Sequence, residues 1–139
     1  MSKAFTREDD DATPPPPRRR GLPVPVPNPV TAAGLRALRA ELDTAPAGDR
    51  ARELAEHLAT AFTPEPEDRG AVGFGATVEV VDDDGGRHRY RIVGAIEAAP
   101  RDGAIHWQSP IATALHAARV GDTVELPRGE VEVVAISYP

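Results

Sequence analysis

At 139 residues, the chain is long enough for one ordinary domain or for a small domain with an appendage. Its formal net charge of −6 argues against a protein that grips nucleic acid by itself, because neutralising phosphates requires a basic face. Cysteine is absent, which excludes disulfides and thiolate chemistry. No apolar run approaches the roughly 20 residues of a membrane helix, and the N-terminus lacks the apolar segment of a signal peptide. We therefore expect a cytoplasmic protein without membrane contact.

Residues 1–29 are predicted to form a disordered, proline-rich tail. An acidic run, Glu8–Asp11, is followed by four prolines, by the arginines Arg18–Arg20 and by "LPVPVPNP". Proline at this density blocks helix and ladder hydrogen bonds and favours extended, solvated chain. The arginine triplet fits either a solvated tail or a contact with nucleic acid or an acidic protein surface.

Residues 30–63 are predicted to form a short helical hairpin. The first helix spans Thr31–Ala45 with Thr31 as its N-cap, and the second spans Asp49–Phe62 with Asp49 as its cap. "PAG" separates them, and amphipathic helices joined by about three residues pack antiparallel. Two apolar stripes should face each other: Leu35, Leu38 and Leu42 on the first helix, and Ala51, Leu54, Leu58 and Phe62 on the second.

A β-hairpin is the clearest prediction within residues 70–139. Val78 and Val80 alternate with polar residues, as do Tyr90 and Ile92. The intervening "DDDGG" supplies residues that tolerate a positive φ, as a tight turn requires.

The chain beyond this hairpin predicts one short helix and three more strands. Gly103–Gln108 alternates as a strand, and Ser109 followed by Pro110 is typical of a helix start. "VGDTVEL" and "EVEVVAIS" predict the last two strands. Four or five mostly antiparallel strands around one helix make an α+β fold. The inward positions of the last strand are expected at Val131, Val133 and Ala135.

Known catalytic and metal-binding patterns are not found in this sequence. Ser109 is not surrounded by G-x-S-x-G, and "DDDGG" lacks the alternate ligands and distal glutamate of an EF-hand. We therefore predict no enzyme activity, no metal and no cofactor. The four histidines, which have no metal-ligand spacing, are His57, His88, His106 and His116.

Five segments of the C-terminal half resemble, in order and spacing, one known domain. It is the FKBP-like RNA polymerase-binding domain of the Gre family of bacterial transcript-cleavage factors. The opening "MSKAFTRE" and the segment "PVTAAGLRALRAEL" are also similar to the start of GreB-like members. The resemblance implies an FKBP-like antiparallel sheet with one short helix. The five segments are Phe74–Val80, Tyr90–Gly94 with a following Glu97, Ser109–Leu115, Val120–Leu126 and Gly129–Ile136.

The resemblance also implies a reduced helical arm. In the family, a long antiparallel coiled coil enters the polymerase secondary channel, and its tip carries a G-D-x-x-E-N motif that helps to hold a catalytic Mg²⁺. Here Gly48 and Asp49 match, but Glu53 follows Asp49 by four positions and Leu54 replaces the asparagine. A helix of about 14 residues spans only about 21 Å. Asp49 and Glu53 can share a helix face, either as a metal-assisting pair or as a helix cap and a solvated carboxylate.

The implied function is regulation of transcription elongation by binding bacterial RNA polymerase at the secondary channel, without stimulation of transcript cleavage. The family's docking loop corresponds to Gln108, Ser109 and Pro110, and the first of these positions is often acidic in the family. Trp107 beside them is either half-buried or an exposed anchor. We expect a monomer that meets nucleic acid only through the transcription complex.

Two other functions stay open at this stage. A true transcript-cleavage factor would supply Asp49 and Glu53 to the polymerase active site. A peptidyl-prolyl isomerase is suggested by the FKBP-like fold alone. With aromatic residues at only 4% of the chain, the sequence offers few side chains for a pocket that desolvates proline.

Overall fold

The computed structural model describes residues 22–139, and the predicted acidic, proline and arginine runs of the tail lie outside this range. Two helices, α1 (Ala32–Thr44) and α2 (Asp49–Thr60), come first. A five-stranded sheet with one further helix follows. The predicted α+β class is confirmed.

The two helices pack as the expected antiparallel hairpin, which we call the arm. Thr31 caps α1 as predicted, since its hydroxyl accepts a hydrogen bond from the Gly34 N–H at 3.0 Å. The start of α2 differs from the prediction: Gly48 is the N-cap, and Asp49 is the first helical residue. The Asp49 side chain therefore does not cap the helix.

The interior of the arm contains one residue that the helical pattern did not indicate. Val30, just before α1, is fully buried together with Leu38 and Leu54. Phe62 was expected in this stripe, which is wrong, because α2 ends at Thr60 and the Phe62 side chain is 46% exposed. The half-buried apolar residues packed around this interior are Leu35, Leu42, Leu58, Ala61 and Ile96.

Residues 22–30, which we call the strap, lie along α2. Val30 N–H donates to Phe62 O at 2.8 Å, and the Asn28 side-chain amide donates to His57 O at 2.7 Å. The predicted disordered tail extends to residue 29, whereas residues 22–29 pack against α2. Burial of Asn28 and Val30 and these hydrogen bonds account for the difference.

The sheet consists of β1 (Thr77–Asp82), β2 (Arg87–Val93), β3 (Ala104–His106), β4 (Thr123–Leu126) and β5 (Gly129–Ser137). Their order in the sheet is β3-β2-β1-β5-β4. All neighbouring strands pair antiparallel except β2 and β3, which are parallel. The prediction of mostly antiparallel strands is confirmed, and the one parallel pair makes the sheet a mixed one. Residues 94–103, with two short 3₁₀ turns, return the chain so that β3 pairs with the last three residues of β2.

One face of the sheet packs on the helix α3 (Pro110–Leu115) and forms the larger apolar core. Val78, Val80 and Leu115 are fully buried there. In β5, Val131 and Val133 face this core as predicted. A β-bulge between β1 and β5 then shifts the alternation, so that Ile136 packs on the core in place of Ala135.

Candidate functional site

The segment between β3 and α3, His106–Pro110, presents the three residues predicted to bind a partner; we call it the docking loop. Ser109 is the N-cap of α3, since its Oγ accepts from Ala112 N–H at 3.3 Å. The Ser109 N–H donates to His106 O at 2.9 Å, which closes the turn. Pro110 occupies the first helical position and is exposed. The predicted cap and proline pairing is confirmed.

Trp107 fixes the docking loop to the domain. Its ring is half-buried, packs against the larger apolar core, and stacks on His106 with centroids 6.2 Å apart. Its backbone N–H donates to Val93 O at 2.9 Å. Gln108 is exposed, and its backbone N–H donates to His106 Nδ1 at 2.9 Å. The half-buried alternative for Trp107 holds, so Gln108 and Pro110 are the exposed members of the loop.

The two candidate carboxylates at the tip of the arm have separate partners. Arg50 bridges both helices: its Nε and one terminal nitrogen contact the Glu41 carboxylate at 2.7 and 3.0 Å, and the other donates to Glu53 Oε1 at 2.6 Å. The Asp49 side chain is 95% exposed and forms an ion pair with Arg52. Asp49 and Glu53 are thus engaged with arginines of their own helix.

Glu53 is the most constrained of these groups. Its Oε2 accepts from Leu22 N–H, the first described residue of the strap, at 2.7 Å. This hydrogen bond, followed by the one from Arg50, lowers the pKa of Glu53 below its ordinary value. The hydrogen bond from Arg50 likewise lowers the pKa of Glu41. Both oxygens of Glu53 are occupied, so a metal ion could bind there only by displacing a hydrogen bond or an ion pair.

A second anchor of the strap is His57, which is 1% exposed. Its Nε2 lies 2.8 Å from Leu22 O, so this nitrogen must carry the proton and donate. The strap and α2 are therefore joined at both ends, by Leu22 here and by Asn28 nearer the sheet. The apolar periodicity of the sequence does not predict the contact between the strap and α2, because the strap has no regular secondary structure.

The arm is joined to the sheet through the carboxylate of Glu97. It accepts from Thr31 N–H at 3.0 Å, from the Thr31 hydroxyl, and from Gly94 N–H at 2.8 Å. These groups lie at the beginning of α1 and directly after β2. Glu97 was noted in the sequence only as a matching residue, and this role was not anticipated.

Two kinds of feature are absent from residues 22–139. No group of three or more histidine or acidic side chains in this range is arranged to hold a metal ion. No helix there has the length and apolar character needed to cross a bilayer.

Comparison with protein families identifies one match. The family described as "Transcription elongation factor, GreA/GreB, C-term" matches residues 66–138, which is more than half of the chain. This range begins in the linker after the arm and includes the docking loop. The strap and both helices of the arm lie outside it.

Two curated relatives extend the similarity towards the arm. Transcription elongation factor GreB of Neisseria meningitidis is 41% identical over 96 residues, covering 64% of this chain and 59% of the relative. Transcription elongation factor GreA of Nautilia profundicola is 42% identical over 85 residues, covering 58% and 52% respectively. The chain therefore spans little more than half the length of either relative.

Solved structures of similar proteins include GreA factor homolog 1 (Gfh1) of Thermus thermophilus. It is 25% identical, with 78% of this chain and 97% of that chain covered and a TM-score of 0.45. The elongation factor GreA/GreB of Nitrosomonas europaea is 21% identical, with 84% and 100% covered and a TM-score of 0.45.

Proposed function

We propose that this chain, which belongs to the GreA/GreB family of transcription elongation factors, binds bacterial RNA polymerase without stimulating transcript cleavage. Its C-terminal domain would dock at the entrance of the secondary channel, and the arm would partly cover that entrance. The protein would act on polymerase as a regulator and would not itself be an enzyme. The observation that carries this proposal is the short arm with its neutralised tip.

The length of the arm supports the proposal first. α1 has 13 residues and α2 has 12, so at 1.5 Å per residue each spans about 20 Å. Stimulated cleavage requires carboxylates placed within a few ångströms of the polymerase metal ions. An arm shortened by several turns cannot bring its tip to that position if the domain docks where longer-armed relatives dock.

The chemistry of the tip supports it second. Glu53 accepts from Leu22 N–H and from Arg50, and Asp49 forms an ion pair with Arg52. A carboxylate that assists a metal ion must offer free oxygen atoms at the metal. Here the nearest cations are arginines of the same helix, which compete for those oxygens.

The docking loop supplies the contact with polymerase in this account. Ser109 holds the loop by capping α3, while Gln108 and Pro110 project from it. Because Trp107 and the cap fix the backbone, the exposed groups are pre-organised and little ordering entropy is lost on binding. Once docked, the protein would exclude other factors that use the same entrance.

Binding to core RNA polymerase tests the docking part of this proposal. Biolayer interferometry with the full chain should detect binding, and the S109A/P110A double variant should weaken it at least tenfold. Ser109→Ala also costs about 1 kcal/mol of capping energy, so folding of the variant is checked by circular dichroism. Thr113→Ala is the matched control, because Thr113 is exposed on the same short helix and outside the loop. Equal affinities for all three proteins would contradict the assigned surface.

A further inference from the structure

A cavity of about 520 Å³ lies between the beginning of α1, the linker after α2 and the end of β2. Three arginines from these three elements line it: Arg36, Arg69 and Arg91. We call it the arginine cleft. No residue of the arm tip or of the docking loop belongs to its lining, although Val93 of the lining accepts a hydrogen bond from Trp107 N–H.

The charges of the arginine cleft are not balanced. Arg36, Arg69 and Arg91 form no ion pair with any residue of the described range, whereas Arg50, Arg52 and Arg119 all do. The anionic groups of the lining are the side chain of Glu65 and the carboxylate of the last residue, Pro139, so the three guanidinium groups are in excess by one. In a chain with an excess of negative charge, three guanidinium groups around one cavity create a local positive potential that favours an anion.

Two aromatic rings complete the lining. Phe74 is half-buried, belongs to neither apolar core and is part of the lining. The guanidinium carbon of Arg69 lies 5.8 Å from the centre of the Tyr138 ring, which holds this arginine at the edge of the cavity. In sites that bind a nucleobase and a phosphate together, an aromatic ring stacks on the base and a neighbouring arginine binds the phosphate.

We propose that the arginine cleft binds a nucleotide. Arg36, Arg69 and Arg91 would contact the phosphates, and Phe74 would stack on the base. The cavity volume falls within the roughly 300–1,000 Å³ typical of small-molecule sites. Guanidinium groups suit this ligand because they donate two parallel hydrogen bonds to phosphate oxygens.

Isothermal titration calorimetry of the full chain at low salt tests the phosphate contacts. ATP should bind to the parent protein, and inorganic pyrophosphate should bind more weakly. Arg91→Gln and Arg36→Gln should each lower the affinities for both ligands about tenfold, which is the usual effect of losing a hydrogen bond to a charged group. Arg39→Gln is the matched control, because Arg39 is an exposed arginine of α1 outside the cleft and should leave both affinities unchanged.

Phe74→Leu tests the base contact separately. This variant should lower the affinity for ATP severalfold and leave the affinity for pyrophosphate unchanged, because only ATP carries a base that can stack on the ring. The proposal is overturned if the parent protein does not bind ATP, or if Arg36→Gln and Arg91→Gln bind it as tightly as Arg39→Gln. The assignment of a nucleotide would be overturned if Phe74→Leu lowered the affinities for ATP and pyrophosphate to the same extent. It would also be overturned if the parent protein bound the two ligands with equal affinity. None of these readouts involves polymerase, so they are independent of the proposed function.

Discussion

Glu97→Ala should uncouple the arm from the sheet. The Glu97 carboxylate bridges the two parts of the chain: it accepts from Thr31 N–H at the beginning of α1 and from Gly94 N–H directly after β2. Truncation to alanine leaves these two backbone donors and the Thr31 hydroxyl without this acceptor. The N-cap bond itself survives, because the Thr31 oxygen still accepts from Gly34 N–H.

The expected loss follows from the number of hydrogen bonds. Hydrogen bonds to a charged group contribute about 1.5–3 kcal/mol each, and all three bonds of Glu97 are partly buried. Water can reach part of this site and replaces some of the lost bonds. Counting the two backbone donors at the lower figure, we expect Glu97→Ala to lower the free energy of unfolding by about 3 kcal/mol. Glu97→Gln retains one acceptor oxygen and should lose about half as much.

Urea denaturation measures this effect with two probes. The chain has one tryptophan, Trp107, whose fluorescence reports on the sheet, while far-ultraviolet circular dichroism is weighted towards the arm helices. Glu56→Ala is the control, because Glu56 is exposed on α2 and forms no ion pair with a described residue. A loss below about 0.5 kcal/mol in Glu97→Ala, the range of ordinary surface changes, would refute the bridging role.

Two further predictions concern the same part of the molecule. Gly34→Ala should destabilise the protein by about 1–3 kcal/mol in thermal unfolding, although alanine is the better helix former by about 1 kcal/mol. The new Cβ would overlap the Glu97 carboxylate, which could move away only by giving up its hydrogen bonds to Thr31 and Gly94. Equal or higher stability would contradict the close contact. Because hydrogen bonds lower the pKa of Glu53, the arm should be stabilised above the ordinary value of 4.5 and lose this contribution as the pH falls through the lowered pKa. Acid titration followed by circular dichroism should show this dependence. Because the hydrogen bond from Leu22 N–H makes the larger contribution to the lowered pKa, Arg50→Gln should flatten the profile only in part; an unchanged profile would contradict the contribution of Arg50.

The elements with strong local signals could be predicted from the sequence. Three elements depend on interactions between residues close in the sequence. They are the Thr31 cap, the helix start at Ser109 and Pro110, and the turn before Arg87. In that turn, Gly85 has a φ of +82°, which glycine adopts without strain. The position of the docking loop follows from the same local rules.

The parts that failed depend on contacts between distant segments. Phe62 fits the apolar stripe of α2, but Val30 occupies the interior of the arm instead. Ile136 replaces Ala135 at the core because a bulge shifts the register, and nothing in the alternation of β5 marks the bulge. The partner of Glu53 is the backbone of Leu22 in the strap, and a backbone donor has no sequence signature.

The most direct test of the account uses backtracked elongation complexes with Mg²⁺. With the full chain alone, no shortened transcripts should appear, and cleavage stimulated by an added full-length Gre factor should slow as the concentration of this protein rises. Asp49→Ala and Glu53→Ala should behave like the parent protein, because the tip does not reach the reaction. Shortened transcripts that appear with the chain alone and disappear with Asp49→Ala would show that the arm delivers a carboxylate to the active site, and would contradict the account.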